Sequence, residues 1–481
     1  MYVWIGITLA GVVWWSAPQA IGQSDGVRPP NIVLLVADDL GYGELGCQGN
    51  PEIPTPHIDQ MANQGVRCTQ FYVTAPNCSP SRAGLFTGRI PTRFGYEMNP
   101  IGAKNEQPGI GLPPNERTLA EMLQDAGYTT GLIGKWHLGG SAEYHPQRHG
   151  FDYFFGFTHE GHYYVRPPYA EAMTMLRRKR LPAGHQGRYW ASPHLLYSDH
   201  MGHHEPDYDA NNPIVRNGQP VDERAYLTDA LAREAVQFIE TYRAAPFFLC
   251  VTFNAVHSPL QAKQSTMQRF AHIEDMHRRI FAAMLSDLDE AVGAITATLD
   301  RHGLADDTLV LFLSDNGGPT KELTSSNLPL RGGKGTMYEG GLRVPAIWRW
   351  DGAIPAARVY EHPLSSLDVM PTVAAACGIA PPEDLDGLDV LPQLRQSAEP
   401  IRSRDLYWRQ GNRAAYRAGD WKIVSPYKSR AGGSEARVWE LYNIRDDLEE
   451  QHDLAQQHPD VLHDLQDRWQ ALDAVMAPPL F

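Results

Sequence analysis

Four apolar runs of strand length lie in the first two-thirds of the chain, and each stops at polar or turn-forming residues. NIVLLVA, starting at Asn31, ends in Asp38-Asp39-Leu-Gly, and YTTGLIG, starting at Tyr128, ends in Lys135-Trp136-His137. FFLCVTF, starting at Phe247, ends in Asn254-Ala-Val-His257, and TLVLFLS, starting at Thr308, ends in Asp315-Asn316-Gly-Gly. Near-continuous apolar runs, rather than alternating ones, predict strands covered on both faces, the habit of a mostly parallel sheet. Segments of helical period lie between them. TLAEMLQDAG places Thr118 and Glu121 in a capping box, Gly127 at the C-terminal end, and Leu119, Met122, Leu123 and Ala126 on one face. Leu227, Leu231, Ala235, Phe238 and Tyr242 form a second stripe, and residues 275 to 302 read as a longer helix. Strand–helix alternation of this kind predicts an α/β sandwich.

The periodicity changes towards both ends. Residues 1–22 hold the uncharged run YVWIGITLAGVVWW, too short to span a bilayer comfortably, then Ala20-Ile21-Gly22 with the small-x-small pattern of a cleavage site. They read as a signal peptide of an exported protein, periplasmic or extracellular, with no stable membrane insertion after cleavage. Residues 23–380 form the main domain, and 381–403, rich in Pro and charge, a linker. Residues 404–481 form a C-terminal subdomain of short strand-like pieces before a helix at about 459 to 474. Within the main domain, residues 140–222 are a long irregular insertion rich in aromatics, His and Arg, of the kind that rims active sites. Arg177 to Arg180 reads there equally as an anion contact or a solvated basic hairpin, and the histidines at 194–204 have no diagnostic metal spacing.

Composition narrows the function classes. The 481 residues are 42% hydrophobic and 20% charged, ordinary for a globular chain, and the net charge of −14 argues against a nucleic-acid partner. Cys47, Cys68, Cys78, Cys250 and Cys377 are odd in number, irregular in spacing and without a C-x-x-C, so neither a zinc site nor a disulfide frame is indicated. Cys250 sits in an apolar run, whereas Cys78 stands in NCSPSRAGLFTGR.

In open α/β sheets, ligands collect outside the carboxyl ends of the strands. One such edge would receive Asp38, Asp39, Asp315 and Asn316, an all-oxygen set suited to a hard divalent cation and best to calcium. Singly, each of these also reads as a turn former. Opposite them would stand Arg82, Lys135, His137, His257 and Lys334, the last between glycines in LRGGKGTMYEGG. A metal, an arginine and two lysines would clamp a tetrahedral oxyanion, and two histidines could divide acid and base roles.

With these residues in place, the chain closely resembles the formylglycine-dependent type I sulfatases of the alkaline phosphatase superfamily. CSPSRAGLFTG fits the signature Cys-x-Pro-Ser-Arg followed by Thr-Gly, and VADDLGYGELG, GYTTGLIGKWHLG, FNAVHSPLQ, LVLFLSDNGG and LRGGKGTMYEGGLRVPA follow in order. Phe86 stands where that family usually has Leu or Met. The resemblance implies a large mixed, mostly parallel sheet sandwiched by helices, plus a smaller C-terminal α+β domain with an antiparallel sheet. It also implies that a maturation enzyme, reading Pro80 and Arg82, oxidises Cys78 to Cα-formylglycine, whose hydrate attacks sulfur while bound to one calcium ion. That ion would be held by Asp38, Asp39, Asp315, Asn316 and the converted Cys78. Lys135 and Lys334 would hold the sulfate oxygens, and Arg82 would aid the nucleophile. His257, with Lys334, would protonate the leaving alcohol, and His137 would take the proton that releases sulfate. Asn77-Cys78-Ser79 also fits a glycosylation acceptor, but Pro80 follows it and a glycan would block the pocket. The expected substrate is a sulfated carbohydrate. The alternatives are small aromatic sulfate esters and phosphate or phosphonate esters.

Overall fold

In the computed structural model, which describes residues 28–429 and 436–481, the four apolar runs are neighbouring strands of one eleven-stranded sheet. The signal-peptide expectation, residues 1–22, lies outside the described residues. Asn31–Ala37 is central, with Phe247–Thr252 on one side, Thr308–Ser314 on the other, and Thr129–Lys135 beyond Phe247–Thr252, all parallel. Tyr153–Phe157 extends the parallel set, while at the far side Arg343–Arg349 runs antiparallel to its neighbours Thr308–Ser314 and Val66–Tyr72. The sheet is therefore mixed and mostly parallel.

Burial follows the sequence pattern. Val33, Leu35 and Ala37 enter one core with Leu231, Ala235, Phe238 and Phe281, while Ile32, Leu34 and Val36 enter the other with Phe86, Leu123 and Trp136. Alternate side chains of one strand thus serve two helical layers. Leu227–Tyr242 and Met276–Arg301 cover the first face. Leu119–Asp125, on the second, opens with the expected box: Thr118 Oγ1 accepts from Glu121 N at 3.1 Å and Glu121 Oε2 from Thr118 N at 2.7 Å. Ala126 is exposed, because the helix ends one residue before it.

Strand register sets the site. Ala37 pairs with Ser314, Val36 with Thr252, and Thr252 with Gly134, so the residues that follow emerge along one edge.

Two further regions are built separately. Asp405–Gln410, Arg413–Ala418, Trp421–Ser425 and Glu440–Asn443 form an antiparallel sheet, and Pro459–Asp473 packs Leu465 and Trp469 against its Tyr407, Tyr416, Ile423 and Leu441. Ahead of this sheet, Val390, Leu391 and Leu394 bury themselves in the core of the main sheet. The insertion is more regular than its composition suggests. Ala172–Arg177, Arg188–Ser192 and Leu195–Ser198 make a second four-stranded sheet, completed by Leu260–Lys263 from outside the insertion. Arg188–Ser192 is largely exposed and Leu195–Ser198 spans only four residues, so no strong period marked them. Among the described residues, no helix is long and apolar enough to cross a membrane.

Candidate active site

The Cys78 helix, Cys78–Thr87, is buried along all ten residues and starts at the carboxyl edge of the sheet. Gly84 is required there, since a Cβ would lie 2.3 Å from Thr74 Oγ1. Gly88, at φ +65°, ends the helix in the left-handed conformation common at helix C-termini. At its first residue, Cys78 Sγ lies 3.5 Å from Asp38 Oδ1, and ligand atoms of Asp38, Asp39, Cys78 and Asp315 all fall within 4.8 Å of one another.

Three cations face the three carboxylates. Lys135 Nζ donates to Asp38 Oδ2 at 2.6 Å, and Lys334 Nζ to Asp39 Oδ2 at 2.7 Å. Arg82 Nε donates to Asp315 Oδ2 at 2.9 Å, its Nη2 lies 2.7 Å from the same oxygen, and its Nη1 donates to the Lys135 carbonyl at 2.9 Å. Asn316 Nδ2 donates to Asp39 Oδ1 at 2.7 Å, leaving Asn316 Oδ1 buried without a partner. The loop carrying Lys334 approaches through glycines: a Cβ on Gly333 would lie 2.4 Å from the Gly318 carbonyl.

The electrostatics of the acids are uneven. Burial alone would raise Asp39, yet Lys334 and His257 hold it below the usual carboxylate range. Burial and the neighbouring charge of Asp38 push Asp315 up in spite of Arg82. Burial also pushes the Cys78 thiol up to about 12, so as a plain cysteine it carries little thiolate. An orphaned amide oxygen and three crowded carboxylates fit a hard divalent ion.

The histidines are oriented by backbone carbonyls, which can only accept. His137 Nε2 donates to the Pro100 carbonyl at 2.9 Å, and its Nδ1 is buried without a partner. Burial and the Lys135 charge hold its pKa well below the ordinary histidine value. Ser79 ties this residue to the Cys78 helix, its Oγ donating to the His137 carbonyl. His257 Nδ1 donates to the Ser258 carbonyl at 2.6 Å, which leaves Nε2 3.7 Å from Asp39 Oδ2. All ten residues singled out in the sequence thus come together at one edge.

Other contacts around the site gave no local signal in the sequence. Asn99 Oδ1 accepts from Ser79 N at 2.9 Å. Arg177 is buried rather than presented as an anion contact: its Nε donates to Glu205 Oε2 at 3.0 Å and its Nη2 to Tyr208 OH at 2.9 Å and Ser258 Oγ at 3.2 Å, while Nη1 binds Glu322. Ser258 Oγ itself donates to Glu322 Oε1 at 2.7 Å. These partners meet from 28 to 145 positions away, so only the fold reveals them. Arg178 stacks over Tyr197, and Lys179 and Arg180 are exposed. Of the 194–204 histidines, His200 bonds Ser198 and packs on His277, and none joins a metal-ligating group among the described residues.

Comparison with known proteins agrees with this geometry. Residues 30–379 match the family model described as Sulfatase, and residues 333–474 match that described as N-sulphoglucosamine sulphohydrolase, C-terminal. The steryl-sulfatase of Mus musculus is 36% identical over 452 residues, covering 83% of this chain and 70% of that protein. The N-acetylgalactosamine-6-sulfatase of Canis lupus familiaris is 34% identical over 405 residues, covering 82% and 70%. Among solved structures, Ps i-CgsB in complex with k-i-k-neocarrahexaose is similar with a TM-score of 0.80 at 33% identity, over 94% of each chain.

Proposed function

We propose, for a chain that belongs to the sulfatase family and is a sulfuric ester hydrolase, that the substrate is a sulfated carbohydrate and that Cys78 acts after conversion to formylglycine beside one calcium ion. The observation that carries this reading is the convergence of Asp38, Asp39, Asp315 and Asn316 on a buried cysteine whose thiol is a poor nucleophile. Those four residues would hold the ion. Bound there, the ion and the hydrated aldehyde supply an activated oxygen and positive charge beside the ester.

The remaining roles follow from the side chains. Lys135 and Lys334 bind sulfate oxygens as point charges, and Arg82 fixes Asp315 from behind. His257 Nε2 gives a proton to the leaving alcohol when the ring is the doubly protonated imidazolium, which Asp39 Oδ2, 3.7 Å away, favours against burial. His137 Nδ1, with no partner of its own, accepts a proton. Support for a sugar comes from a relative named for N-acetylgalactosamine and a neighbour solved with a neocarrahexaose. Export through residues 1–22, after maturation by a formylglycine-generating enzyme, belongs to the same reading.

Mass spectrometry of the Cys78 peptide from active, exported protein tests the maturation; an unmodified thiol there overturns it. Sulfate release from a panel of sulfated glycans, beside para-nitrophenyl sulfate and matched phosphate esters, tests the substrate. Turnover confined to the aryl ester, or faster phosphate than sulfate release, overturns the carbohydrate reading.

A further inference from the structure

The mouth of the site is not built by the main sheet alone. Asn77, half-buried, leads into Cys78, and the Lys334 loop folds beside it, Gly335 N donating to the Pro76 carbonyl at 2.8 Å. The first hairpin of the C-terminal sheet reaches this junction. It turns at Gly411-Asn412, with Gly411 at φ +53°, a conformation glycine adopts without steric penalty.

The turn is held firmly. Gly411 N donates to Glu97 Oε2 at 3.0 Å and Gln410 Nε2 to the Glu97 carbonyl at 3.2 Å. Arg437 Nη1 donates to the Asn412 carbonyl at 2.8 Å. Glu97 opens the short segment that continues through Asn99, which holds Ser79, to Pro100, which holds His137. The hairpin therefore stands on the backbone that orients the catalytic side chains.

Arg413 extends from this tip, and its Nη1 donates to the Gly335 carbonyl at 2.7 Å, one residue from Lys334. It is exposed, and among the described residues it forms no ion pair. Its neighbour Arg409, by contrast, is spent on Glu97 and Asp473. A guanidinium fixed by one N–H, with the rest of its planar fork unpaired among the described residues, is suited to bidentate recognition of an oxyanion. Lys135 and Lys334 already cover the ester under attack, so the anion that Arg413 meets belongs elsewhere on the substrate.

We propose that Arg413 is a specificity-determining residue that binds a second anionic group, a sulfate or carboxylate on the sugar adjoining the one being desulfated. The inference rests on the carbohydrate reading and narrows it to oligosaccharides charged beyond the scissile ester. A charge-assisted bond at an open mouth is worth about tenfold in KM.

The test compares Arg413→Ala and Arg413→Lys with the unaltered enzyme on four probes: para-nitrophenyl sulfate, N-acetylgalactosamine 6-sulfate, carrageenan-type oligosaccharides with a sulfated neighbour, and chondroitin-type disaccharides with a uronate neighbour. For the oligosaccharides that the unaltered enzyme turns over, Arg413→Ala should raise KM about tenfold, and Arg413→Lys should recover part of it. On the two small probes the change should stay below about twofold, and added salt should narrow the gap. The sulfated and uronate arms identify which anion is read. An equal loss of kcat on every probe would assign Arg413 to holding the Lys334 loop and overturn the inference. Unaltered KM on charged oligosaccharides overturns it as well. If the unaltered enzyme turns over the aryl ester and no glycan, the carbohydrate reading fails, and this inference fails with it.

Discussion

The carboxyl edge of the main sheet and the insertion of residues 140–222 are both crowded with ionisable side chains, yet the fold uses them differently. At the edge, three carboxylates, two cations and two histidines are buried around Cys78, with Lys334 half-buried beside them, because parallel strands in register end there. In the insertion, Arg177 is buried too, but Glu205, Glu322, Tyr208 and Ser258 take up its donors. Its contribution to the site is indirect, because Ser258 follows His257 and Tyr208 packs edge-on to the His257 ring, with 6.1 Å between centroids. A basic run in a sequence therefore does not locate a free cation. Arg413, which forms no ion pair among the described residues, comes from a third region.

Breaking the edge should give the largest effect. Cys78→Ala should lower sulfate release at least about a thousandfold. The unfolding midpoint should hardly move, since the thiol's contact with Asp38 is long, at 3.5 Å. Retained turnover would remove the edge as the reactive centre. Arg82→Ala and Arg177→Ala each leave buried carboxylates unpaired, which costs about 3–5 kcal/mol by denaturant titration. Arg177→Lys separates the two regions more finely, because it keeps the charge and loses the fork. It should lower kcat about tenfold with KM within about twofold, as a positioning residue would. A rise in KM with kcat intact would mean that Arg177 touches substrate after all, and the contrast between the regions would fall.

What the sequence made legible was what local pattern can encode. Asp38, Lys135, Asn254 and Asp315 could be assigned to one edge because each ends an apolar run, and a parallel sheet aligns such ends. The capping box at Thr118 and the Cys78 signature are likewise written in adjacent residues. The Arg177 network is not, since it joins the insertion, the His257 loop and the segment after Asn316 through single side chains with no shared motif. Nor is the Arg413 hairpin, whose position depends on how the C-terminal sheet seats on Glu97. Phe86 falls between these cases. Its unusual size is visible in the sequence, but only the structure shows it packed on Trp136 at 5.4 Å and Phe151 at 6.0 Å. Phe86→Leu should cost about 1 kcal/mol in stability, with kcat/KM within about twofold, because the loss is confined to packing behind the helix.

A third buried charge cluster joins the C-terminal sheet to the Lys334 loop. Lys422 Nζ bridges Glu339 Oε1 and Glu450 Oε1, each at 2.9 Å, and Glu450 Oε2 accepts from Glu339 N at 2.6 Å. Tyr72, Arg343 and Arg417 complete the surroundings of Glu339. Two carboxylates thus share one ammonium, and their affinities for a proton separate. Burial would raise Glu339, but Lys422 and the two arginines hold it low. Burial, with the charge of Glu339, pushes Glu450 up to about 7 against Lys422. A carboxyl raised in the folded state contributes stability that is present in full below its unfolded value and lost as pH rises through the folded one. Between about pH 4.5 and 7, the unaltered protein should therefore lose stability relative to Glu450→Gln, which cannot ionise, and the gap should level off above that range. Urea midpoints of the two proteins should diverge as pH rises. A constant gap would show Glu450 ionised on Lys422 throughout, the outcome that overturns this prediction.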